Sequence, residues 1–163
     1  MKIEKELLKS LNNQINLEFV SAYLYLALEL AFANMNLNGI ADWLKKQALE
    51  ELEHSEKIMR YILDNFCSVE LKNIAAPENI SGTPLELFIM AYEHEKKVTE
   101  SLKSIAKKAD AVQDFITLNL MREYLIEQIE EERKIYDIIS KIQLVNEANC
   151  GILLLDKELA EKK

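Results

Sequence analysis

Residues 67–86, CSVELKNIAAPENISGTPLE, separate two pairs of long helical segments. From Cys67 to Gly82 there is no helical repeat, whereas Thr83-Pro84-Leu85-Glu86 combines an N-cap, a proline at the first helical position and a capping-box glutamate. Sixteen extended residues span about 50 Å, which exceeds the roughly 40 Å length of the preceding helix. The segment is therefore predicted to cross a bundle lengthwise, so that the second and third helices are parallel.

Apolar residues at steps of three and four predict the helices on either side of this crossover. The first helix is expected over about residues 4 to 33, where the segment Asn34 to Gly39 breaks it, and the second over about 40 to 66. Because their joint is short, these two helices should be antiparallel.

Beyond the crossover, the same periodicity predicts helices over about residues 84 to 109 and 112 to 143. Their boundary is the least marked one, because Asp110 with Gln113 also resembles a cap and neither glycine nor proline occurs there. An apolar tail around Ile152 to Leu155 predicts a short fifth helix over about 149 to 160, which we expect to be buried on assembly.

The composition favours one all-α domain over residues 1–163. Hydrophobic residues make up 49% of the chain, and only 3 glycines and 2 prolines interrupt it. The formal net charge of −8 disfavours binding to nucleic acids and favours small cations as partners. Cys67 and Cys150 are too few and too far apart for a disulfide framework or a paired-cysteine metal site, and are interpreted as two unpaired thiols.

The N-terminal residues do not predict export or membrane insertion. Met1 to Glu6 contains no apolar signal core, and no uncharged run approaches the roughly 20 residues that a membrane helix needs. The expectation is a cytoplasmic protein with no membrane partner.

Polar side chains interrupt all four apolar stripes near mid-helix, at positions where the pattern predicts Leu or Ile. These inward positions are Glu18, Glu51, His54, Glu95, Gln128 and Glu131, with Glu127 on the flank. Several carboxylates in one core repel one another and are costly to bury unless protons or cations compensate them. Mostly oxygen ligands with one imidazole suit iron, so the pattern predicts an iron site.

Taken one at a time, these residues also have plainer interpretations. Glu51 and His54 have the ExxH spacing of a helical ion pair, and Glu18 or Glu95 alone could reflect a misjudged helix face. Tyr25 lies two turns after Glu18 and could simply be a core tyrosine bonded to a carboxylate. His94 is expected to point away from Glu95, as a surface or packing histidine. A common depth on four helices favours the metal site.

Along essentially its whole length the sequence resembles the non-haem bacterial and archaeal ferritins. The matching segments are Leu11 to Glu18 with Tyr23-Leu24-Tyr25, Glu50-Glu51-Leu52-Glu53-His54, Tyr92-Glu93-His94-Glu95, Glu127 to Glu132, and Asp156-Lys157-Glu158-Leu159. The resemblance implies a ferritin-like four-helix bundle whose fifth helix closes the four-fold axes of a hollow homo-oligomeric shell of twenty-four subunits.

The resemblance also implies a role for each matching residue. Glu18, Glu51 and His54 would bind the first iron, and Glu51 would bridge to a second iron held by Glu95 and by Glu131 or Gln128. Tyr25 would stand beside this di-iron centre. A third, outer iron site would be formed by Glu50, Glu127, Glu130 and Glu131.

Two departures from related families bear on function. Bacterioferritins and ferritin-like oxygenases usually carry a second ExxH on the last helix, where this sequence has Glu127-Gln128-Ile129-Glu130. Leu52 stands where bacterioferritins place a haem-binding methionine, so no haem is expected.

Asp110 and Asp114 could line an iron channel at a three-fold axis, or could be solvated surface residues.

These observations predict an iron storage subunit with ferroxidase activity. Fe(II) would bind pairwise, be oxidised by O2 or H2O2, and leave as Fe(III) for a mineral in the shell. The alternatives are a peroxide-reducing or oxygenase-type di-iron protein, which the missing second ExxH and the absence of rubredoxin-type cysteines disfavour, and an inactive structural helical-bundle subunit.

Overall fold

The computed structural model describes residues 2–78 and 80–161, and the fold is all-α as predicted. Five helices occur in these residues: α1 (Lys5–Asn34), α2 (Asn38–Asp64), α3 (Pro84–Ala111), α4 (Phe115–Leu144) and α5 (Asn149–Glu161). The capping box expected at the start of α3 is present, with Thr83 accepting from the Glu86 backbone and Glu86 accepting from the Thr83 backbone.

Side-chain hydrogen bonds fix the directions of the helices. Between α1 and α3, Gln14 pairs with Ser101 at 2.5 Å and Ser21 pairs with His94 at 2.8 Å, so residue numbers rise on one helix as they fall on the other. Since α3 is antiparallel to α1, and α1 is antiparallel to α2 across a short turn, α2 and α3 are parallel. The long crossover predicted from the sequence is confirmed.

The turns differ in detail from the expected ones. Between α1 and α2 the left-handed residue is Asn36, with φ 59°, while Gly39 lies inside α2 and does not break the chain. Between α3 and α4, Gln113 takes φ 56° and the side chain of Asp114 caps α4 by accepting from the Thr117 backbone at 3.0 Å. The interpretation of Asp110 with Gln113 as a cap was wrong, because Asp110 belongs to α3.

Gly39 allows α5 to dock against the start of α2. A Cβ at this position would lie 2.0 Å from the backbone oxygen of Asp156, so only glycine permits this approach. The neighbouring Ile40 backbone N–H donates to Asp156 Oδ1 at 2.8 Å. The backbone of α5 therefore packs directly on α2.

The apolar tail is only partly buried in the single chain. Ile152, Leu155 and Leu159 belong to the hydrophobic core near the α1–α2 turn. Leu153 and Leu154 point the other way and are 59% and 70% exposed. Ile152 and Leu155 are thus already buried within the single chain, and burial on assembly stays a prediction for the two exposed leucines.

The bundle interior consists of two apolar clusters with a polar layer between them. One cluster surrounds Phe32, Leu44 and Phe88, and the other surrounds Leu11, Ile58 and Leu102. The polar residues buried between them include Gln14, Glu18, Glu51, Glu95, Gln128 and Glu131. The core is therefore interrupted at mid-height on all four long helices, at the depth that the sequence predicted.

Helix α1 is long and apolar enough to cross a membrane by length and hydropathy alone. The core helix of a soluble bundle passes the same test. In α1 the buried face also carries Gln14 and Glu18, whose polar groups bond to other polar side chains inside the bundle. The position of α1 is that of a core helix.

Candidate metal centre

Each long helix directs at least one polar side chain into the central layer. Glu18 on α1, Glu51 on α2 and Glu95 on α3 are only 1%, 3% and 1% exposed, and Gln128 and Glu131 on α4 are also buried. Helix faces inferred from the apolar stripes are therefore correct for these residues, and the misjudged-face interpretation of Glu18 and Glu95 was wrong.

Glu18, Glu51 and His54 form a group suited to one metal ion. Each residue offers a ligand atom, and these atoms all lie within 4.8 Å of one another. His54 Nδ1 lies 3.5 Å from Glu51 Oε2. Oε2 of Glu18 is buried and accepts no hydrogen bond from the described residues, although its Oε1 accepts from Gln14 at 2.7 Å. A buried carboxylate oxygen without a donor is costly, and either a carboxyl proton shared with Glu51 or a cation beside it would remove that cost.

Glu95 occupies the adjoining part of the layer, held by two donors. The Tyr25 hydroxyl donates to Glu95 Oε1 at 2.5 Å, and the Gln128 side-chain amide donates to Glu95 Oε2 at 2.5 Å. Tyr25 is thus the core tyrosine bonded to a carboxylate that the sequence allowed, in the position beside the acid cluster that the resemblance implied. Gln128 points at Glu95 across the α3–α4 interface.

Glu131 faces the outer side of this layer. Its Oε1 accepts from Lys134 Nζ at 2.8 Å, and its Oε2 accepts from the Gln47 amide at 3.3 Å. Gln47 also donates to Glu50 Oε2 at 2.5 Å. One amide therefore joins a carboxylate of α2 to a carboxylate of α4.

The four residues expected at an outer site line one cleft. Glu50, Glu127, Glu130 and Glu131 surround a cleft of about 340 Å³ at the α2–α4 interface, together with Glu53, His54, Lys57 and Lys134. His54 Nε2 lies 3.6 Å from Glu127 Oε2, so the imidazole stands between the buried layer and the cleft. The nine residues suggested as metal ligands, by the interrupted stripes or by the resemblance, thus lie either in the buried layer or around the cleft, and their role as ligands stays a prediction.

Burial and mutual repulsion raise the pKa values of the central carboxyls. Burial is the main cause at Glu18, followed by the charge of Glu51, and both raise its pKa well above the usual value. At Glu51 burial again comes first, followed by the charge of Glu95. Burial also raises the pKa of Glu95 to about 7, against the opposing effect of its bonds from Tyr25 and Gln128. The layer therefore retains protons at neutral pH unless cations replace them.

Three residues around the site were not predicted from the sequence. Tyr124 donates from its hydroxyl to the His54 backbone oxygen at 2.7 Å, and its ring meets the imidazole edge-on at 5.6 Å, so it helps to orient His54. Lys57 and Lys134 place ammonium groups at the outer carboxylates. Their positions, three residues after His54 and three after Glu131, are the only signal that could have identified them.

His94 and Asp114 have structural contacts. His94 Nε2 lies 2.8 Å from Ser21 Oγ, and burial lowers the pKa of His94 to about 4, which is the packing histidine expected from its helix face. Asp114 caps α4 by accepting from the backbone and hydroxyl of Thr117. That cap accounts for Asp114 without a channel, whereas the suggested channel position of Asp110 stays a prediction.

Comparisons with known proteins agree with this architecture. The Ferritin-like domain family matches residues 8–145. A bacterial non-heme ferritin of Campylobacter jejuni is 34% identical over 155 residues, covering 95% of this chain and 93% of the relative. A bacterial non-heme ferritin of Escherichia coli is 30% identical over 158 residues, covering 97% and 96%.

A solved structure extends the likeness to three dimensions. An open pore ferritin from the hyperthermophilic archaeon Archaeoglobus fulgidus superimposes with a TM-score of 0.97 at 35% identity, covering 99% of this chain and 100% of that chain. The helix order, the crossover and the family match all point the same way, and the chain belongs to the ferritin family of iron-storage proteins.

Proposed function

We propose that this protein is an iron-storage ferritin subunit that oxidises Fe(II) at a di-iron ferroxidase site within its own four-helix bundle. One observation carries the proposal: Glu18, Glu51 and His54 present ligand atoms within 4.8 Å of one another, with an unpartnered oxygen of Glu18 among them. Fe(II) is the substrate, and the carboxylates supply the hard oxygen ligands that it accepts.

The two irons would use different sides of Glu51. Glu18 and His54 would hold the first Fe(II) with one Glu51 oxygen, and the other oxygen would reach the second. Glu95 would bind that second ion, with Glu131 or Gln128 completing its ligands. Two Fe(II) ions held side by side can each give one electron, and the pair reduces one O2 to hydrogen peroxide with uptake of two protons.

The raised pKa values make the site cation-seeking. At neutral pH the buried carboxyls retain protons, because burial penalises their charged forms. Fe(II) binding replaces these protons with positive charge and releases them near the reacting ions. Part of the free energy gained on metal binding comes from the attraction of Fe(II) for carboxylates that otherwise repel one another.

Iron would pass through the site and not remain there. The layer contains a single imidazole, and the acidic cleft next to it offers Glu50, Glu127 and Glu130 as further ligands. Fe(III) would leave by this third, outer site for a ferric mineral. A resident iron pair that attacks an organic substrate or reduces peroxide usually has a second histidine, so those activities are the less favoured alternatives.

The mineral requires an enclosed space, which the chain would form as a homo-oligomer of twenty-four subunits. The exposed pair Leu153 and Leu154 on α5 supports burial against other copies. Leu52 in place of a methionine argues against haem, and the negative charge argues against nucleic acid as a partner. We also propose a cytoplasmic location.

The direct test is to size the purified protein and then add Fe(II) in air. A large particle that turns amber and keeps its iron in solution would support the proposal. Glu18→Ala should lose fast oxidation, whereas Glu93→Ala, an exposed acid paired with Lys96 at 3.2 Å on α3, should behave like the parent. A parent protein that oxidises Fe(II) at the buffer rate would instead be an inactive structural subunit.

A further inference from the structure

We propose that Lys134 is a built-in counter-ion of the outer cleft, which a divalent cation must displace before it can bind Glu131 and Glu50. This proposal rests on the proposed function, since the cleft is the suggested third iron site. It adds a residue that tunes the affinity of that site and delays its filling until the inner pair is occupied.

The ammonium of Lys134 lies where an outer cation would need carboxylate ligands. Its Nζ is 2.8 Å from Glu131 Oε1 on its own helix and 3.7 Å from Glu50 Oε2 on α2. A metal ion that used those two oxygens would meet the ammonium at a distance at which like charges repel strongly. The two cations therefore compete for the same carboxylates.

Gln47 holds Glu50 and Glu131 in place from the buried side. The ammonium of Lys134 and a divalent cation therefore compete for the same pair of carboxylates. The Gln47 amide donates to Glu50 Oε2 at 2.5 Å and to Glu131 Oε2 at 3.3 Å. The Gln47–Glu131 and Lys134–Glu50 contacts are both side-chain contacts between α2 and α4. The two acids thus stay together when the ammonium leaves, and a cation can replace it.

The Lys134 side chain also lines a second cleft, in which its ammonium can pair with another acid. It and Glu50 line both the acidic cleft and a neighbouring cleft of about 390 Å³, which also contains Asp137. Asp137 follows Lys134 by three residues on α4, and among the residues that the structure describes its ion pair is a long one, with Arg133 at 3.9 Å. The Lys134 side chain is 43% exposed, so it can rotate into the second cleft and pair with Asp137.

The charges explain why the need to displace Lys134 makes the outer cleft bind iron after the inner group. The acidic cleft contains five glutamates and two lysines, so a divalent ion is attracted but must overcome the existing ion pair of Lys134. The inner group at Glu18, Glu51 and His54 has no ammonium to displace among the described residues. Iron should therefore occupy the inner group first, and the outer carboxylates should stay available for Fe(III) leaving it.

The test is a titration of the assembled, iron-free protein with Zn(II), a redox-inert divalent ion, by calorimetry. Lys134→Met keeps the length of the side chain and removes its charge. We expect the weaker class of sites to tighten roughly 1.5- to 5-fold, the range for a solvent-exposed ion pair, with the tighter class unchanged. Lys134→Arg should resemble the parent.

Lys141→Met is the matched control for net charge. Lys141 lines the second cleft but pairs with Glu158 on α5, so its loss should leave the weaker sites at the parental affinity. A crystal of the zinc-loaded parent should show Lys134 turned towards Asp137. Unchanged or weaker outer binding in Lys134→Met, or zinc in the cleft with Lys134 still bonded to Glu131, would overturn the inference.

The outcome is separable from that of the proposed function. A parent protein without fast Fe(II) oxidation would refute the ferroxidase proposal, yet the effect of Lys134 on zinc affinity would still be measurable. Conversely, fast oxidation that Glu18→Ala abolishes, combined with no effect of Lys134→Met on zinc binding, would refute only the role of Lys134.

Discussion

The phenol of Tyr25 on α1 donates a 2.5 Å hydrogen bond to Glu95 on α3, inside the layer that divides the two apolar clusters. Burial, followed by the charges of Glu95 and Glu51, raises the pKa of Tyr25 well above its usual value, so the hydroxyl stays protonated and remains a donor. This bond favours the charged form of Glu95. Tyr25 thus links the position of α1 to the protonation of a proposed ligand of the second iron.

Removing that donor should change both proton balance and rate. In Tyr25→Phe, Glu95 keeps the Gln128 bond but loses the Tyr25 one, so its pKa should rise above about 7 and iron should compete with a proton more often. We expect slower initial oxidation, most clearly below neutral pH, and a stability change of about 1 kcal/mol. Stopped-flow kinetics at several pH values measures this. Tyr23→Phe, at a 39% exposed tyrosine, is the control, and equal rates in both variants would contradict the prediction.

Glu51 should be far more sensitive to substitution than the outer acids. It belongs to the group with Glu18 and His54, it is acted on by the charge of Glu95, and it is the proposed bridge between the two irons, so Glu51→Ala should abolish fast oxidation almost completely. Glu50→Ala and Glu130→Ala alter the cleft and should change iron stoichiometry and later kinetic phases instead. Stopped-flow oxidation at two and three Fe(II) per subunit separates the cases. Equal loss in all three variants would show that the roles are not divided in this way.

Much of this arrangement could be predicted from the sequence, because the helix periodicity and the interrupted stripes are local signals. Glu18, Glu51 and Glu95 stand where the apolar stripes predict a leucine or isoleucine, and this predicted correctly that they face inward. The length of the crossover then determined which helices are parallel. Both inferences need only helix geometry and chain length.

The remaining features depend on contacts between distant segments. Gly39 resembled a helix breaker, but its small size serves the close approach of Asp156 on α5, more than a hundred residues later. Lys57 and Lys134 were not predicted to belong to the site. Their importance follows from the interface of α2 with α4, where they meet the outer carboxylates, and no periodicity within one helix predicts that pairing.

Metal binding should weaken as the pH falls through neutrality. Burial raises the pKa of Glu95 to about 7, so lowering the pH from 7.5 to 5.5 protonates this ligand and should reduce zinc affinity roughly twentyfold through this group alone. The raised pKa values of Glu18 and Glu51 add to the effect. Calorimetry in buffers of different ionisation enthalpy measures both affinity and released protons. A zinc affinity that does not depend on pH, with no protons released on binding, would contradict the raised pKa values.

Gly39→Ala should detach α5 while leaving the four-helix bundle folded. The new methyl group would collide with the Asp156 backbone and press on Ala160, and the Ile40 N–H bond to Asp156 would be strained. Deleting residues 148 to 163 should have the same result without a clash. We expect smaller particles in sedimentation velocity with near-parental helicity by circular dichroism. Intact shells that store iron normally in both variants would mean that α5 is dispensable for assembly.

The stability of the iron-free bundle should depend on pH through its buried carboxyls. The pKa values of Glu18, Glu51 and Glu95 are raised in the fold, chiefly by burial, so these groups are least costly when protonated. Their stabilising effect is complete below the unfolded pKa near 4.5 and is lost as the pH rises through the folded values, which for Glu95 means about 7. The iron-free bundle should therefore be more stable at mildly acidic than at neutral pH as far as this layer is concerned.

Glu51→Gln imitates the protonated acid at every pH, because the amide has a similar shape and no charge. At neutral pH it should raise the thermal midpoint of the iron-free bundle by the equivalent of about 1 to 3 kcal/mol, and this advantage should shrink towards pH 4.5. It should also reduce the stabilisation gained from added Zn(II), since a ligand is lost.

Scanning calorimetry with and without metal measures both effects, ideally in a variant that does not assemble. Glu50→Gln, at a 43% exposed side chain, is the control and should shift neither quantity as much. If Glu51→Gln without metal melts well below the parent at neutral pH, then the carboxylate is a structural hydrogen-bonding group, and repulsion within the layer does not drive it to bind cations.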